Sequence, residues 1–208
     1  MDASNHWQYY LTLEDDFRHS FRYVEPCKEN EHAYSVEYVR LLLAIGSEVD
    51  VVLKQICASL GKQGNNIKEY QEAICSSNSN TVLNTTVKMP GAGFMQITPW
   101  DSWFAPTPAK PDWWGSYNDV KHGRSENFKK ANFKNVRDGL AGLFLACVHL
   151  GKLEGVKELI PPSALFDTDD RLVLRVLPGE NGRLGMVIDD QELDKIKSWK
   201  PSSIMICQ

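Results

Sequence analysis

The run Val36-Glu-Tyr-Val-Arg-Leu-Leu-Leu-Ala-Ile-Gly46-Ser-Glu-Val-Asp-Val-Val-Leu-Lys-Gln-Ile56 decides the fold of this chain of 208 residues. Apolar side chains recur in it at steps of three and four residues, which is the period of one face of an α-helix. Further apolar residues make the run apolar nearly all round, which is typical of a helix that is buried on several sides. The segment 32–60 is therefore predicted to be the central helix of a mainly α protein.

A second long helix is predicted from the N-cap residue Asn132 to Gly151, with an apolar stripe along its length. The small residues Gly139, Gly142 and Ala146 form a ridge in it. Such a ridge lets a neighbouring helix approach closely, and the helix at 32–60 is the expected neighbour. Shorter helices are predicted within 1–30, over 66–75 and over 112–123.

Two segments depart from the helical pattern. Five prolines exclude a continuous helix over 76–111, and Trp100, Trp103 and Phe104 within it indicate an ordered insertion that covers part of the bundle. Two strand-like runs, 171–177 and 184–188, flank turn-forming residues and predict a β-hairpin, followed by a short helix around 191–197. The predicted organisation is a helical bundle over 1–160 and a C-terminal appendage over 161–208.

Composition excludes several classes of protein. The chain is 42% hydrophobic and 24% charged, which is typical of a globular protein. Its five cysteines include no CxxC pair and its N-terminus has no signal-peptide pattern, so a reduced, cytoplasmic protein is expected. No apolar run is long enough to span a bilayer. No ligand spacing for zinc and no phosphate-binding glycine loop occur, so neither a metal nor a cofactor is expected.

The charge is distributed unevenly along the chain. Residues 117–137 contain six Lys or Arg against two acids, which gives +4 locally although the net charge of the chain is −4. A basic segment in an acidic protein can concentrate an anionic ligand at one place. Solvated lysines on a helix face would produce the same composition, so both interpretations stay open.

The residues most suited to ligand binding or catalysis lie in the segment Asp112-Trp-Trp-Gly-Ser-Tyr-Asn-Asp-Val-Lys-His-Gly-Arg124. On a helix, Trp114, Asn118 and His122 lie in one row. An imidazole can transfer protons near neutral pH, and the nearby Lys121 and Arg124 can neutralise a phosphate. This combination would suit metal-independent RNA cleavage, in which a 2′-hydroxyl attacks the adjacent phosphate. A surface histidine on an ordinary amphipathic helix is the alternative.

The segment Tyr117-Asn-Asp-Val-Lys-His122, followed by a Gly/Arg pair and an Ala/Gly/Leu-rich helix, resembles the HEPN superfamily of nucleotide-binding domains. The resemblance implies a helical bundle that is usually dimeric. It also implies a signature in which an Arg precedes a His by four to six residues. Active members are metal-independent endoribonucleases, many of them in toxin–antitoxin and antiphage systems, and others bind nucleotides or serve as inactive partners.

In this chain His122 matches the signature histidine and Asn118 matches the polar residue that follows the arginine, but Tyr117 stands in the arginine's place. Tyrosine can donate one hydrogen bond to a phosphate but is uncharged at neutral pH. The resemblance further implies that an acidic residue of the helix 32–60 faces the motif. Glu48 is the candidate that would orient His122, whereas Asp50 can pair with Lys54 instead.

Three functional hypotheses follow from these residues. The first is RNA or nucleotide binding, with endoribonuclease activity as its catalytic form. In it His122 transfers protons, Asn118 and Tyr117 hold phosphate or orient the histidine, and the cations bind RNA: Lys121, Arg124, Lys129 and Lys130. The second is a catalytically inactive module that forms a homodimer or binds an antitoxin-like protein. The third is an apolar small-molecule site beneath the insertion, lined by Trp100 and Trp103.

Overall fold

The computed structural model describes residues 2–77, 82–89, 95–168, 173–176 and 184–188, and for 173–176 and Leu184 it describes the backbone alone. The predicted helix at 191–197 lies outside these residues. The described chain is mainly α, as predicted, and its helices are α1 Ala3–His19, α2 Val36–Ser59, α3 Ile67–Cys75, α4 Asp112–His122, α5 Arg124–Asn127 and α6 Phe133–Leu153. None of these helices is both long enough and apolar enough to cross a membrane.

The two long helices, α2 and α6, form the centre of the fold and pack extensively against each other, while α1 packs on α6. Each long helix begins where a side chain accepts a hydrogen bond from a backbone N–H of the first turn. The Ser35 Oγ accepts from the amide of Tyr38 at 3.1 Å, and the Asn132 Oδ1 accepts from the amide of Asn135 at 3.0 Å. Helix α6 continues past the predicted end at Gly151 to Leu153, and Gly155 adopts the left-handed conformation with φ 73°.

Glycines in the long helices receive aromatic rings. An added Cβ at Gly46 of α2 would lie 2.3 Å from the Cδ2 atom of Tyr117, so the ring of α4 rests directly on the α2 backbone. On α6, Gly142 lies against the rings of Trp113 and Trp100, and Gly139 contacts Trp113 and Ile45. The small-residue ridge of α6 therefore accommodates mainly tryptophan rings, where sequence had predicted the close approach of another helix.

Short strands form two antiparallel sheets at the edge of the bundle. The first has the order β2 (Met95–Ile97), β1 (Val87–Met89), β4 (Asp167–Thr168), and the second has the order β3 (Glu158–Leu159), β6 (Leu184–Val187), β5 (Val173–Val176). The predicted hairpin is confirmed as the pairing of β5 with β6, from Val173 opposite Val187 to Val176 opposite Leu184. The first sheet was not predicted, because strands of two or three residues are too short to display an alternating pattern.

The segment after Pro161 is joined to the bundle through α1. The buried carboxylate of Glu14 accepts hydrogen bonds from the backbone amides of Ala164 at 3.0 Å and Leu165 at 3.1 Å, and from the hydroxyl of Tyr10 at 2.6 Å. The Ser163 hydroxyl also donates to it. Leu165, Phe166, Met186 and Ile188 belong to the same apolar core as the helices. The described residues on both sides of the predicted boundary at 160 thus share one core.

One buried histidine makes stability depend on acidity. His149 of α6 is almost fully buried and neither of its ring nitrogens has a hydrogen-bond partner within the described chain. Burial, and secondarily the charge of Lys152, lowers the pKa of His149 to about 4 from 6.5. The unfolded chain therefore takes up this proton first as the pH falls. The stability conferred by neutral His149 is fully present above pH 6.5 and is lost progressively between 6.5 and 4.

We expect the free energy of unfolding of the wild type to fall by about 3 kcal/mol more than that of His149→Phe between pH 7 and pH 4. Phenylalanine fills a similar volume and does not titrate. Urea titrations at a series of pH values measure this difference in the free energy of unfolding. The carboxylates are the same in both proteins, so their contribution to the pH dependence cancels in the comparison. Parallel pH profiles for the two proteins would show that His149 is not responsible.

Candidate functional site

The signature histidine lies at the surface. His122 is the last residue of α4, it is exposed, and its side chain forms no hydrogen bond or ion pair with another described residue. Gly123, predicted to be a left-handed helix terminator, has φ −149° and connects α4 directly to the short helix α5. The imidazole is thus accessible to a ligand, but no described side chain orients it.

Tyr117 is a packing residue. Its side chain is only 3% exposed, its ring lies on Gly46 and it contacts the ring of Trp114 at a centroid distance of 5.2 Å. Lys121 Nζ lies 5.4 Å from the centre of the Tyr117 ring and covers it on the solvent side. The ring of Tyr117 therefore serves packing, and its predicted role as a phosphate ligand stays a prediction for the hydroxyl alone.

Asn118 is also used inside the protein. Its Nδ2 donates to the backbone carbonyl of Trp114 at 2.9 Å, one turn back on the same helix. This bond uses one of the two N–H donors of the amide that was predicted to hold a phosphate or the imidazole. The row of Trp114, Asn118 and His122 exists as predicted, but Asn118 makes its polar contact with the helix backbone.

Glu48 is directed to another histidine. Its Oε1 lies 2.6 Å from Nδ1 of His6, a fully buried residue of α1, and Nε2 of His6 lies 2.9 Å from Gln55 Oε1. The prediction that Glu48 orients His122 is therefore wrong, because the carboxylate already pairs with a residue that fills the α1–α2 contact. Asp50 pairs with Lys54 at 2.5 Å, as its alternative interpretation predicted, and also accepts from the Tyr70 hydroxyl.

The cations of the basic segment divide into two groups. Arg137 and Lys134 on α6 are already paired with carboxylates, since Arg137 is buried between Glu31 and Asp138 and Lys134 pairs with Asp138. Four cations remain exposed around the end of α4, namely Lys121, Arg124, Lys129 and Lys130. Of these, Lys130 pairs with Asp119 at 2.6 Å, and its hydrogen bond holds the pKa of the Asp119 carboxyl below its usual range.

An exposed aromatic ring accompanies these cations. Tyr34, just before α2, is 48% exposed, and its backbone bridges to Asn132. The Lys129 Nζ lies 5.8 Å from the centre of its ring, and Phe128 meets the ring edge-on at 5.9 Å. Sequence analysis missed Tyr34 because it is far from the motif in the chain. We call Tyr34, Lys121, His122, Arg124, Lys129 and Lys130 together the basic–aromatic surface.

Cavities occur elsewhere on the molecule. An apolar cavity of about 430 Å³ is lined by Trp103 and by Pro108, Ala109 and residues of α3, but not by Trp100, which is buried and donates to the Gly142 carbonyl at 3.1 Å. A polar cavity of about 400 Å³ lies between the insertion, the start of α4 and α6. Of the two tryptophans predicted to line a pocket, Trp103 therefore lines this cavity, whereas Trp100 belongs to the core.

Comparison of the chain with protein-family models, with curated proteins and with solved structures finds no match. The resemblance to the HEPN superfamily stays a prediction that rests on the motif residues alone. Within the described chain no group of three or more His, Cys, Asp or Glu residues is arranged to hold a metal ion.

Proposed function

We propose that this protein binds single-stranded RNA through the basic–aromatic surface and does not cleave it. The observation that carries the proposal is the exposed Tyr34 ring beside Lys129, at the edge of a group of exposed cations. Single-stranded nucleic acids are held by cations that follow the phosphates and by aromatic faces on which bases stack. The same segment contains four exposed cations and only two carboxylates, Asp119 and Glu126. The surface therefore carries a net positive charge in an acidic protein.

The absence of cleavage follows from the contacts of the other motif residues. RNA cleavage by His122 requires a second group to stabilise the charge that develops on the phosphate, and a partner that fixes the imidazole. Tyr117 is packed against Gly46, Asn118 is bonded to its own helix and Glu48 is paired with His6. In this proposal His122 is one more polar contact to RNA, and no side chain among the described residues supports its action as an acid or base.

The experiment compares two triple variants of equal net charge. We expect Lys121→Gln/Arg124→Gln/Lys129→Gln to weaken binding of a labelled 12-nucleotide RNA at least about tenfold in fluorescence anisotropy, because three phosphate contacts are lost. The control, Lys54→Gln/Lys68→Gln/Lys157→Gln, removes the same charge from α2, α3 and the segment after α6, and should bind as the wild type does. Equal weakening of the two variants would show that only net charge matters.

Three single variants test the remaining parts of the proposal. Tyr34→Ala should weaken binding about tenfold through loss of stacking, and Tyr34→Phe should bind normally. RNA incubated with the wild type in EDTA should remain intact. RNA cleavage that disappears in His122→Ala would contradict the non-catalytic assignment, and failure of the wild type to bind RNA would leave the inactive interaction module as the better hypothesis. The homodimer and the antitoxin-like partner stay predictions of the resemblance.

A further inference from the structure

The polar cavity of about 400 Å³ is separate from the basic–aromatic surface and is built from three parts of the chain. The insertion contributes residues 96–102, the start of α4 contributes Pro111, Asp112 and Trp113, and α6 contributes Lys134, Arg137 and Asp138. Its volume lies in the range of small-molecule sites. Residues this distant in sequence come together only in the folded chain, so the cavity is a preformed feature of the fold.

The cations of the cavity wall are already neutralised. Arg137 Nη1 pairs with Glu31 at 2.8 Å and its Nη2 pairs with Asp138 at 2.7 Å, while Lys134 pairs with the other oxygen of Asp138 at 2.9 Å. Arg137 and Asp138 are both more than nine-tenths buried, which fixes this wall. Two cations and two carboxylates cancel, and they leave no positive charge to attract an anion.

Two further carboxylates have no such partner. Asp101 and Asp112 line the cavity, and neither forms an ion pair with a cation in the part of the chain that the structure describes. The Asp101 Oδ1 accepts only from the amide of Ser102, at 2.7 Å. In the same wall the Ser102 hydroxyl oxygen is buried without a hydrogen-bond partner among the described residues, which is an unusual state for a polar atom.

The cavity also offers apolar contact. The ring of Trp113 lines it together with Pro99 and Pro111. The indole N–H of Trp113 donates a hydrogen bond to the Pro99 carbonyl at 2.9 Å. A ligand in this cavity therefore meets hydrocarbon surface as well as carboxylates. From the cavity, its neutralised cations and its two unpaired carboxylates we infer that this site binds a small aliphatic amine, with a diamine as the best match to Asp101 and Asp112.

The test uses three four-carbon probes of different charge on the full chain: 1,4-diaminobutane, 1,4-butanediol and succinate. Isothermal titration calorimetry should detect binding of the diamine and neither of the others. Asp101→Asn/Asp112→Asn should weaken diamine binding at least tenfold. The control Asp15→Asn/Glu25→Gln removes two exposed carboxylates elsewhere and should bind as the wild type does, which separates a site from general attraction to an acidic protein.

Asparagine retains the shape of both side chains, and thermal unfolding of each variant shows whether it is folded. If the double variant does not fold, the single variants Asp101→Asn and Asp112→Asn each give a weaker version of the same comparison. Three results would each overturn the inference. The first is no binding of the diamine at about 10 millimolar. The others are a preference for succinate, and equal binding of the diamine to the wild type and to the folded aspartate variants. None of these results depends on RNA binding.

Discussion

Replacement of Gly46 by alanine is expected to destabilise the protein by about 2–4 kcal/mol. The added Cβ would lie 2.3 Å, 2.4 Å and 2.6 Å from three carbons of the Tyr117 ring. Real Cβ atoms do not approach ring carbons this closely, so α4 or the ring must move. The ring is buried and in contact with Trp114, which leaves it little room. The better helix propensity of alanine offsets only about 1 kcal/mol.

Thermal and urea unfolding measure this effect, and two controls locate it. Gly115→Ala, on α4, adds a Cβ whose nearest neighbour is the Lys110 Cε at 3.7 Å, so it should be neutral or slightly stabilising. In a Tyr117→Ala background the ring is gone, and Gly46→Ala should then cost far less than in the wild type. Gly46→Ala tolerated within about 0.5 kcal/mol in the wild type would mean that Tyr117 is free to move and available to a ligand.

Replacement of Glu14 by alanine should cost about 3–5 kcal/mol of stability. Its carboxylate accepts from the Tyr10 and Ser163 hydroxyls and from the amides of Ala164 and Leu165. Alanine removes the acceptor that these four donors share, and it leaves Tyr10 and Leu165 with the Ser163 hydroxyl oxygen alone, at 2.9 Å and 3.3 Å. Burial, and next the negative charge of Glu14, raises the pKa of Tyr10 well above its ordinary value. The Tyr10 hydroxyl therefore stays protonated and remains a hydrogen-bond donor.

Urea unfolding measures the loss, and hydrogen exchange shows where it acts. The amides of residues 163–166 should exchange much faster in Glu14→Ala, because their attachment to α1 is lost. Glu37→Ala is the matched control: this carboxylate is half exposed and pairs with Arg40 at the surface, so its removal should change stability by less than 1 kcal/mol. A loss in Glu14→Ala no larger than the loss in this control would refute the anchoring role of Glu14.

Glu14 and His6 show what sequence periodicity can and cannot reveal. Ala3, Trp7, Tyr10, Phe17 and the polar Glu14 follow one another at helical spacing on the buried face of α1. A carboxylate within an apolar row indicates a buried polar contact. The partners of such a residue lie far along the chain, at Ser163–Leu165 for Glu14 and at Glu48 for His6, and no spacing within a single sequence identifies them.

The motif on α4 shows a different limit. The helix and the concentration of basic residues around it were predicted from local pattern, because they depend on residues close in the chain. The outcomes for Tyr117 and Glu48 depended on which helix lies opposite each side chain. The ring of Tyr117 packs against α2 at Gly46, where no side chain is in the way. A glycine in the middle of a helix does not reveal in the sequence which ring packs against it.

The salt dependence of RNA affinity tests the proposed function most directly, because each phosphate contact contributes about 0.7 to the slope for a single strand. In a plot of log binding constant against log salt concentration, Lys121→Gln/Arg124→Gln/Lys129→Gln should reduce the slope of the wild type by about 2. The control with Lys54, Lys68 and Lys157 replaced should retain the wild-type slope. Identical slopes for all three proteins would contradict binding at the basic–aromatic surface.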